Sequence, residues 1–139
     1  MNVLMLLTPK SEVRYLKDTA NVRTALETMK HHGYTALPVV TKEGAYAGSV
    51  SEGDFLRYIV ENGTPADWEK IRLKEILRPG FNPAVTASVP TEELIRRAEQ
   101  QNFIPVTDDR GTFIGIVTRK TVIETFCEPQ IDRERRMRA

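Results

Sequence analysis

The sequence predicts an α/β (α+β) fold made of two copies of one β-α-β-β-α unit. Three observations carry that prediction. Leu37-Pro38-Val39-Val40 returns as Ile104-Pro105-Val106-Thr107, and with it Gly44 returns as Gly111, Gly48 as Gly115 and Ser51 as Thr118, a constant spacing of 67 residues. Within each copy the apolar residues change from helical to strand spacing and back. A chain of 139 residues suits one domain, or two very small ones sharing a core. A repeat of this kind is one supersecondary unit that does not bury its apolar face alone. The two copies should therefore rest on each other, and the surface where they meet is the first place to look for a site.

In copy one a lead-in strand near Val13–Leu16 precedes a helix whose stripe is Val22, Ala25, Leu26 and Met29. Asn21 can cap its start and Gly33 its end. Leu37 to Val40 is rich in strand formers, Thr41 to Gly44 makes a turn, and Ala45 to Val50 is the return strand of a hairpin. A second helix is expected to bury Phe55, Leu56, Ile59 and Val60 and to end at Asn62-Gly63. Thr64-Pro65 should open a connecting helix carrying Trp68, Ile71 and Leu77, stopped by Pro79-Gly80.

Copy two keeps the order. Its first helix carries Leu94, Ile95 and Ala98, matching Ala25, Leu26 and Met29 at a spacing of 69, so two residues are lost where copy one has His31-His32-Gly33-Tyr34. Its last helix places Val122, Ile123, Phe126 and Cys127 at 67 from Phe55, Leu56, Ile59 and Val60. Cys127 thus stands for Val60 and reads as a small buried hydrophobe rather than a reactive thiol. The expected division is residues 7–63 and 77–128 for the repeats, 64–76 for the connecting helix and 129–139 for a basic tail. Pro38 and Pro105 donate no ladder hydrogen bond and should stand at a strand start or edge, leaving backbone free for a planar heterocycle.

Composition excludes several classes. The chain is 40% hydrophobic and 28% charged with a net charge of +1, so no whole-protein field points to nucleic acid or a membrane. One cysteine forbids an intramolecular disulfide. The apolar start, Val3 to Leu7, is too short for a span and lacks a basic leader, so the expected location is cytoplasmic. No Walker-type loop, metal-ligand spacing or paired nucleophile and base is present, and an enzyme is the least favoured class. His31-His32 reads as a solvated helix end, because adjacent helical residues do not face one partner. The tail Asp132–Arg138 reads as a solvated terminus without the aromatics that stack on bases. Asp108-Asp109 is ordinary turn chemistry.

The residues that can carry chemistry begin the second helix of copy one, Ser51-Glu52-Gly53-Asp54. One reading is a capping box, with Ser51 capping and the acid at N3 reaching back. The other is a ribose clamp, since an ionised carboxylate only accepts hydrogen bonds and a vicinal diol offers two donors. Ser51 and the free amides of the helix start would then face a phosphate. Copy two reads Thr118-Arg119-Lys120-Thr121: the acid is gone and two cations stand where the helix dipole disfavours them. A local rule broken in one sibling marks a candidate site, and Arg119 and Lys120 are candidates to receive an anion. The alternative is that both side chains bend into water.

Leu37-Pro38-Val39-Val40, Gly48-Ser49-Val50-Ser51-Glu52-Gly53-Asp54 and the tandem copying resemble a CBS domain pair, or Bateman module, over about Leu7 to Glu128. The resemblance implies pseudo-twofold packing of the repeats around a cleft and dimerisation into a disc. It implies no required cofactor and a ligand-sensing role for adenosine-containing molecules (AMP, ADP, ATP, S-adenosylmethionine or cyclic di-AMP), with output through an effector protein in trans. Carried over by position, Asp54 would hold the ribose and Ser51 a phosphate, while Thr8, Lys10, Ser11, Val13, Thr35, Ala36, Leu37 and Pro38 would wall the adenine. Thr121 replaces the second ribose acid, so one strong site per chain is expected. Thr35 and Asn102 are neutral where many members carry a phosphate-binding cation, a charge that Arg119, Lys120 or Lys10 would have to supply. A structural dimerisation module and a nucleic-acid accessory using the tail are the alternatives.

Overall fold

A computed structural model describes residues 2–127 and 134–138. Copy one consists of β2 (Leu16–Lys17), α1 (Val22–His32), β3 (Ala36–Val40), β4 (Tyr46–Ser51) and α2 (Glu52–Asn62). Copy two consists of β5 (Val85–Thr86), α3 (Thr91–Gln100), β6 (Phe103–Thr107), β7 (Phe113–Thr118) and α4 (Arg119–Val122), which widens into a π-helical turn over Ile123–Cys127. A further strand, β1 (Thr8–Pro9), precedes both copies. The sequence signals act where expected. The Asn21 side chain accepts from the Thr24 amide, Gly33 closes α1 at φ 69°, and Gly44 takes φ 90° in the hairpin turn.

The strands form two sheets, β2-β3-β4 and β1-β7-β6-β5. β1 belongs to the sheet of the other copy: it runs antiparallel to β7, with Thr8 opposite Ile116 and Pro9 opposite Gly115. The lead-in of copy one is therefore exchanged across the molecule. The cores follow the same exchange. Val22, Ala25, Met29, Leu37, Val39, Val50 and Phe55 cluster with Ile71, Leu73 and Ile76 from the connection. Val85, Leu94, Ala98, Ile104, Val106, Val117 and Val122 cluster with Val3, with Leu6 and Leu7 against them. Each copy thus has its own core, roofed by the segment that leads into its twin.

The copies meet reciprocally at their hairpins. The Tyr46 amide donates to the Gly111 carbonyl at 3.0 Å and the Phe113 amide to the Gly44 carbonyl at 2.9 Å. Tyr46 and Phe113, repeat mates, stack with ring centroids 6.1 Å apart. These paired contacts are what a pseudo-twofold axis between the hairpins produces.

Three expectations are corrected. The connecting helix is two short 3-10 turns, Trp68–Lys70 and Leu73–Glu75, because the segment lies across the copy-one core and buries Ile71, Leu73 and Ile76 at a spacing no single helix face allows. Leu56 and Val60 are exposed, at 64% and 77%, since Phe55 is the one apolar residue that α2 buries. The last helix of copy two keeps only its first turn in α form. The Cys127 side chain and residues 128–133, which include the first five of the anticipated basic tail, lie outside what the structure describes, while residues 134–138 are helical and exposed.

Candidate functional site between the repeats

A hollow of about 390 Å³ opens between the two copies. That is the size of a small-ligand cleft. From copy one it is lined by Thr8, Glu12, Val13 and Arg14 of the lead-in and by Gly33 through Pro38, and from copy two by Asn102, Phe103, Ile116 and Thr118. The exchange of β1 explains the combination, because pairing Thr8 with Ile116 carries the first lead-in onto the second sheet. The proline at position 38 explains the open backbone: β2 pairs with β3 only at Val39 and Val40, leaving Ala36 to Pro38 uncovered on that side, and these residues wall the hollow.

Of the residues singled out from sequence, Thr8, Val13, Thr35, Ala36, Leu37, Pro38 and Thr118 converge on this cleft. The others do not line it. Lys10 turns its ammonium over the Tyr15 ring, 5.1 Å from the centroid. Ser11 lines a neighbouring, more polar hollow with Glu12, Arg14, Tyr15, His32 and Tyr34. Arg119 donates from Nε to the Ala98 carbonyl at 2.7 Å, and Lys120 stands in solvent, 3.9 Å from Glu124. The cation that offends the dipole of α4 thus serves the C-terminal carbonyls of α3, where the dipole favours it. Neither side chain is aimed at the cleft.

Asp54 and Ser51 require the largest correction. The Asp54 side chain is fully buried. Its Oδ2 accepts from the Ser51 amide at 2.7 Å and the Ser51 hydroxyl at 3.0 Å; its Oδ1 accepts from Arg57 Nη1 at 2.9 Å and Arg78 Nε at 2.6 Å. Four donors occupy the carboxylate, so its capping role is met and no oxygen is left for a diol. The cause is again topological. The first lead-in, which walls the open cleft, lies on copy two beside Thr118, whereas Ser51 and Asp54 face the second lead-in, which carries Arg78. The open cleft therefore sits beside the repeat that lacks the acid, where Thr118 Oγ1 donates to Thr121 Oγ1 at 2.9 Å and accepts from the Thr121 amide at 3.2 Å.

Sequence reasoning missed Arg14, Glu12, Tyr34, Phe103 and Ile116 at the cleft, and Arg57 and Arg78 at Asp54. One signal was available: Leu7-Thr8-Pro9 returns as Leu77-Arg78-Pro79, at a spacing of 70 that the 67-residue register hides. At the mouth, His32 stacks on Tyr34 with centroids 5.3 Å apart. Partial desolvation, and behind it the charges of Arg14 and His31, pull its imidazole below the ordinary value.

Comparison with known proteins agrees with this architecture. The CBS domain family model matches residues 6–61 and 73–128, and the chain belongs to that family. The crystal structure of CbpB in complex with c-di-AMP is similar over 98% of this chain and 91% of that one, at 22% identity and a TM-score of 0.84. CBSX2 in complex with AMP is similar over 94% of this chain and 98% of that one, at 25% identity and a TM-score of 0.71. The magnesium and cobalt efflux protein CorC of Pasteurella multocida (strain Pm70) is 25% identical over 140 residues, which cover 96% of this chain; the chain spans 44% of the length of that curated relative. Among the described residues no helix is long and apolar enough to cross a membrane.

Proposed function

We propose that the chain is a non-catalytic regulatory module, a homodimer that binds an adenosine-containing ligand in the cleft between its repeats and signals in trans to an effector protein. The observation that carries this reading is the 390 Å³ hollow walled by the free edge of β3 and by Phe103, Ile116 and Val13. Apolar walls and an open strand edge suit a flat heterocycle, which needs faces to lie against and backbone groups at its rim. Thr8, Thr35, Asn102 and Thr118 offer hydroxyl and amide partners to a sugar. Arg14 supplies the lining's positive charge in place of the neutral Thr35 and Asn102. AMP, ADP, ATP and cyclic di-AMP all present this chemistry, and related structures hold AMP and c-di-AMP.

Binding would work by population shift: a ligand that spans both repeats favours whichever arrangement of them it fits better. Thermal melts with a panel of adenine compounds test the reading. A ligand at 100 times its Kd stabilises by about 2.7 kcal/mol, several degrees for a chain of this size. Ala36→Phe fills the hollow and should abolish the shift while the fold remains. A panel that leaves the wild-type midpoint unmoved rejects the proposal.

A further inference from the structure

The two lead-ins do unequal things in equivalent places. Leu7 lies against Gly115, and Leu77 lies against Gly48, the repeat mate of Gly115. Thr8 and Arg78 follow these leucines, so they occupy matching positions in the two inter-repeat clefts. Thr8 is short and lines an open hollow. Arg78 is long and fills its place. Its Nε lies 2.6 Å from Asp54 Oδ1, its Nη2 lies 3.3 Å from Ser51 Oγ, and its guanidinium lies 3.9 Å from the centroid of the Phe81 ring. The rest of that lead-in is latched down: Asn82 Nδ2 donates to Ser49 Oγ at 3.0 Å, and the Asn82 carbonyl accepts from the Tyr46 hydroxyl at 2.7 Å.

We propose that Arg78 is a built-in occupant of a second, latent nucleoside site, its Nε–H on Asp54 Oδ1 and its Nη2–H on Ser51 Oγ, the two acceptors that neighbouring ribose hydroxyls would otherwise take. The cleft beside Ser51 and Asp54 stays shut until Arg78 leaves, and a ribose-bearing compound enters only by displacing it. Geometry permits the exchange. Asp54 is fully buried, whereas the Arg78 side chain is 39% exposed and can swing outward without unpacking a core. The guanidinium and a vicinal diol each present two neighbouring donors, so they compete for the same pair of acceptors, Asp54 Oδ1 and Ser51 Oγ. The chain then carries one cleft open by virtue of a small residue and one closed by its own arginine. Displacement would free the lead-in of copy two, coupling occupancy of the second cleft to the segment between the repeats.

This inference rests on reading the clefts as nucleoside sites, and counting bound AMP separates the two. Arg78→Met keeps an apolar stem over Phe81, and Asp54 retains Arg57 and both Ser51 donors. Equilibrium dialysis with labelled AMP should find one more molecule per chain in Arg78→Met than in the wild type. Adding Asp54→Asn should remove that gain. If the wild type binds none and Arg78→Met binds one, the latent site stands and the open-cleft reading falls. If both bind one, the latent site falls. A count of zero in both rejects the two together. Should Arg78→Met fail to fold, arginine side-chain NMR of the wild type decides. A second AMP bound with the Arg78 Nε–H resonance unmoved overturns displacement; a resonance that moves as the second AMP binds supports it.

Discussion

At the scale of the residue, burial decides what a charge is worth. Arg96 and Glu93 form an ion pair on the surface of α3, where such contacts contribute little. Asp54 is different, because a fully buried carboxylate with four donors has no water to fall back on. Asp54→Ala is expected to cost about 1.5–3 kcal/mol, the range for losing hydrogen bonds to a charged group together with a helix cap. Urea unfolding measures it, and a loss under about 0.5 kcal/mol, as for a surface substitution, would show the network to be ornamental. Tyr46 gives a pH signature. Burial pushes its phenol from the ordinary 10 up to about 12, against the opposing hydrogen bonds of Ser49 and Asn82. Between those values the unfolded chain releases a proton that the folded chain keeps, so stability present below pH 10 is lost as pH rises toward 12, at up to about 1.4 kcal/mol per pH unit. Tyr46→Phe should flatten the melting temperature over that interval; an equally steep fall in the variant would place the loss elsewhere. The acid at position 54 was legible in the sequence as a cap. Its partner was not, since Arg78 is brought to it by topology from 24 residues away.

At the scale of the element, the exchanged strand β1 depends on one glycine. A Cβ at Gly115 would stand 2.2 Å from the Thr8 carbonyl oxygen, a backbone atom that cannot turn aside. A Cβ at Gly48 would meet only the Leu77 side chain, at 3.7 Å, an ordinary contact. Both residues have positive φ, 155° and 145°, so the conformational penalty of alanine is shared and the difference isolates the clash. Gly115→Ala should lower the melting temperature clearly more than Gly48→Ala and should expose the Thr8 amide to hydrogen exchange. Equal effects would mean that β1 is not pinned where the structure places it. The repeat spacing made the helices and hairpins readable, because capping and turn residues act locally: Asn21, Gly33 and Gly44 each do what their chemistry dictates. The connection and β1 were not readable. Their apolar residues answer to the core they cover rather than to a helix or strand period, and nothing local says that a segment roofs the other repeat.

At the scale of the molecule, the exposed apolar residues of α2, with Ile123, the repeat mate of Leu56, ask for a partner. Leu56 and Val60 lie four residues apart on α2 and are 64% and 77% exposed, and Ile123, 67 residues beyond Leu56, is 40% exposed. Residues at that spacing share one helix face, so Leu56 and Val60 form a stripe rather than two isolated side chains. The pseudo-twofold that relates the copies also relates Leu56 to Ile123, giving a surface that is nearly symmetric within one chain. A surface of that kind suits a second copy of itself, because a twofold interface needs the same patch on both subunits. Covering it would remove apolar area from water at about 25 cal/mol per Å², which scattered exposed residues would not repay against the cost of association. The expectation is a dimer in solution that Leu56→Lys with Val60→Glu converts to a folded monomer, measured by sedimentation velocity with circular dichroism to confirm the fold. A wild-type chain that sediments as a monomer at tens of micromolar, or a dimer indifferent to both substitutions, would remove this surface from the interface. The same variant then shows whether the cleft works alone. The hollow between the repeats is lined within one chain, so a folded monomer should keep its response to adenine nucleotides.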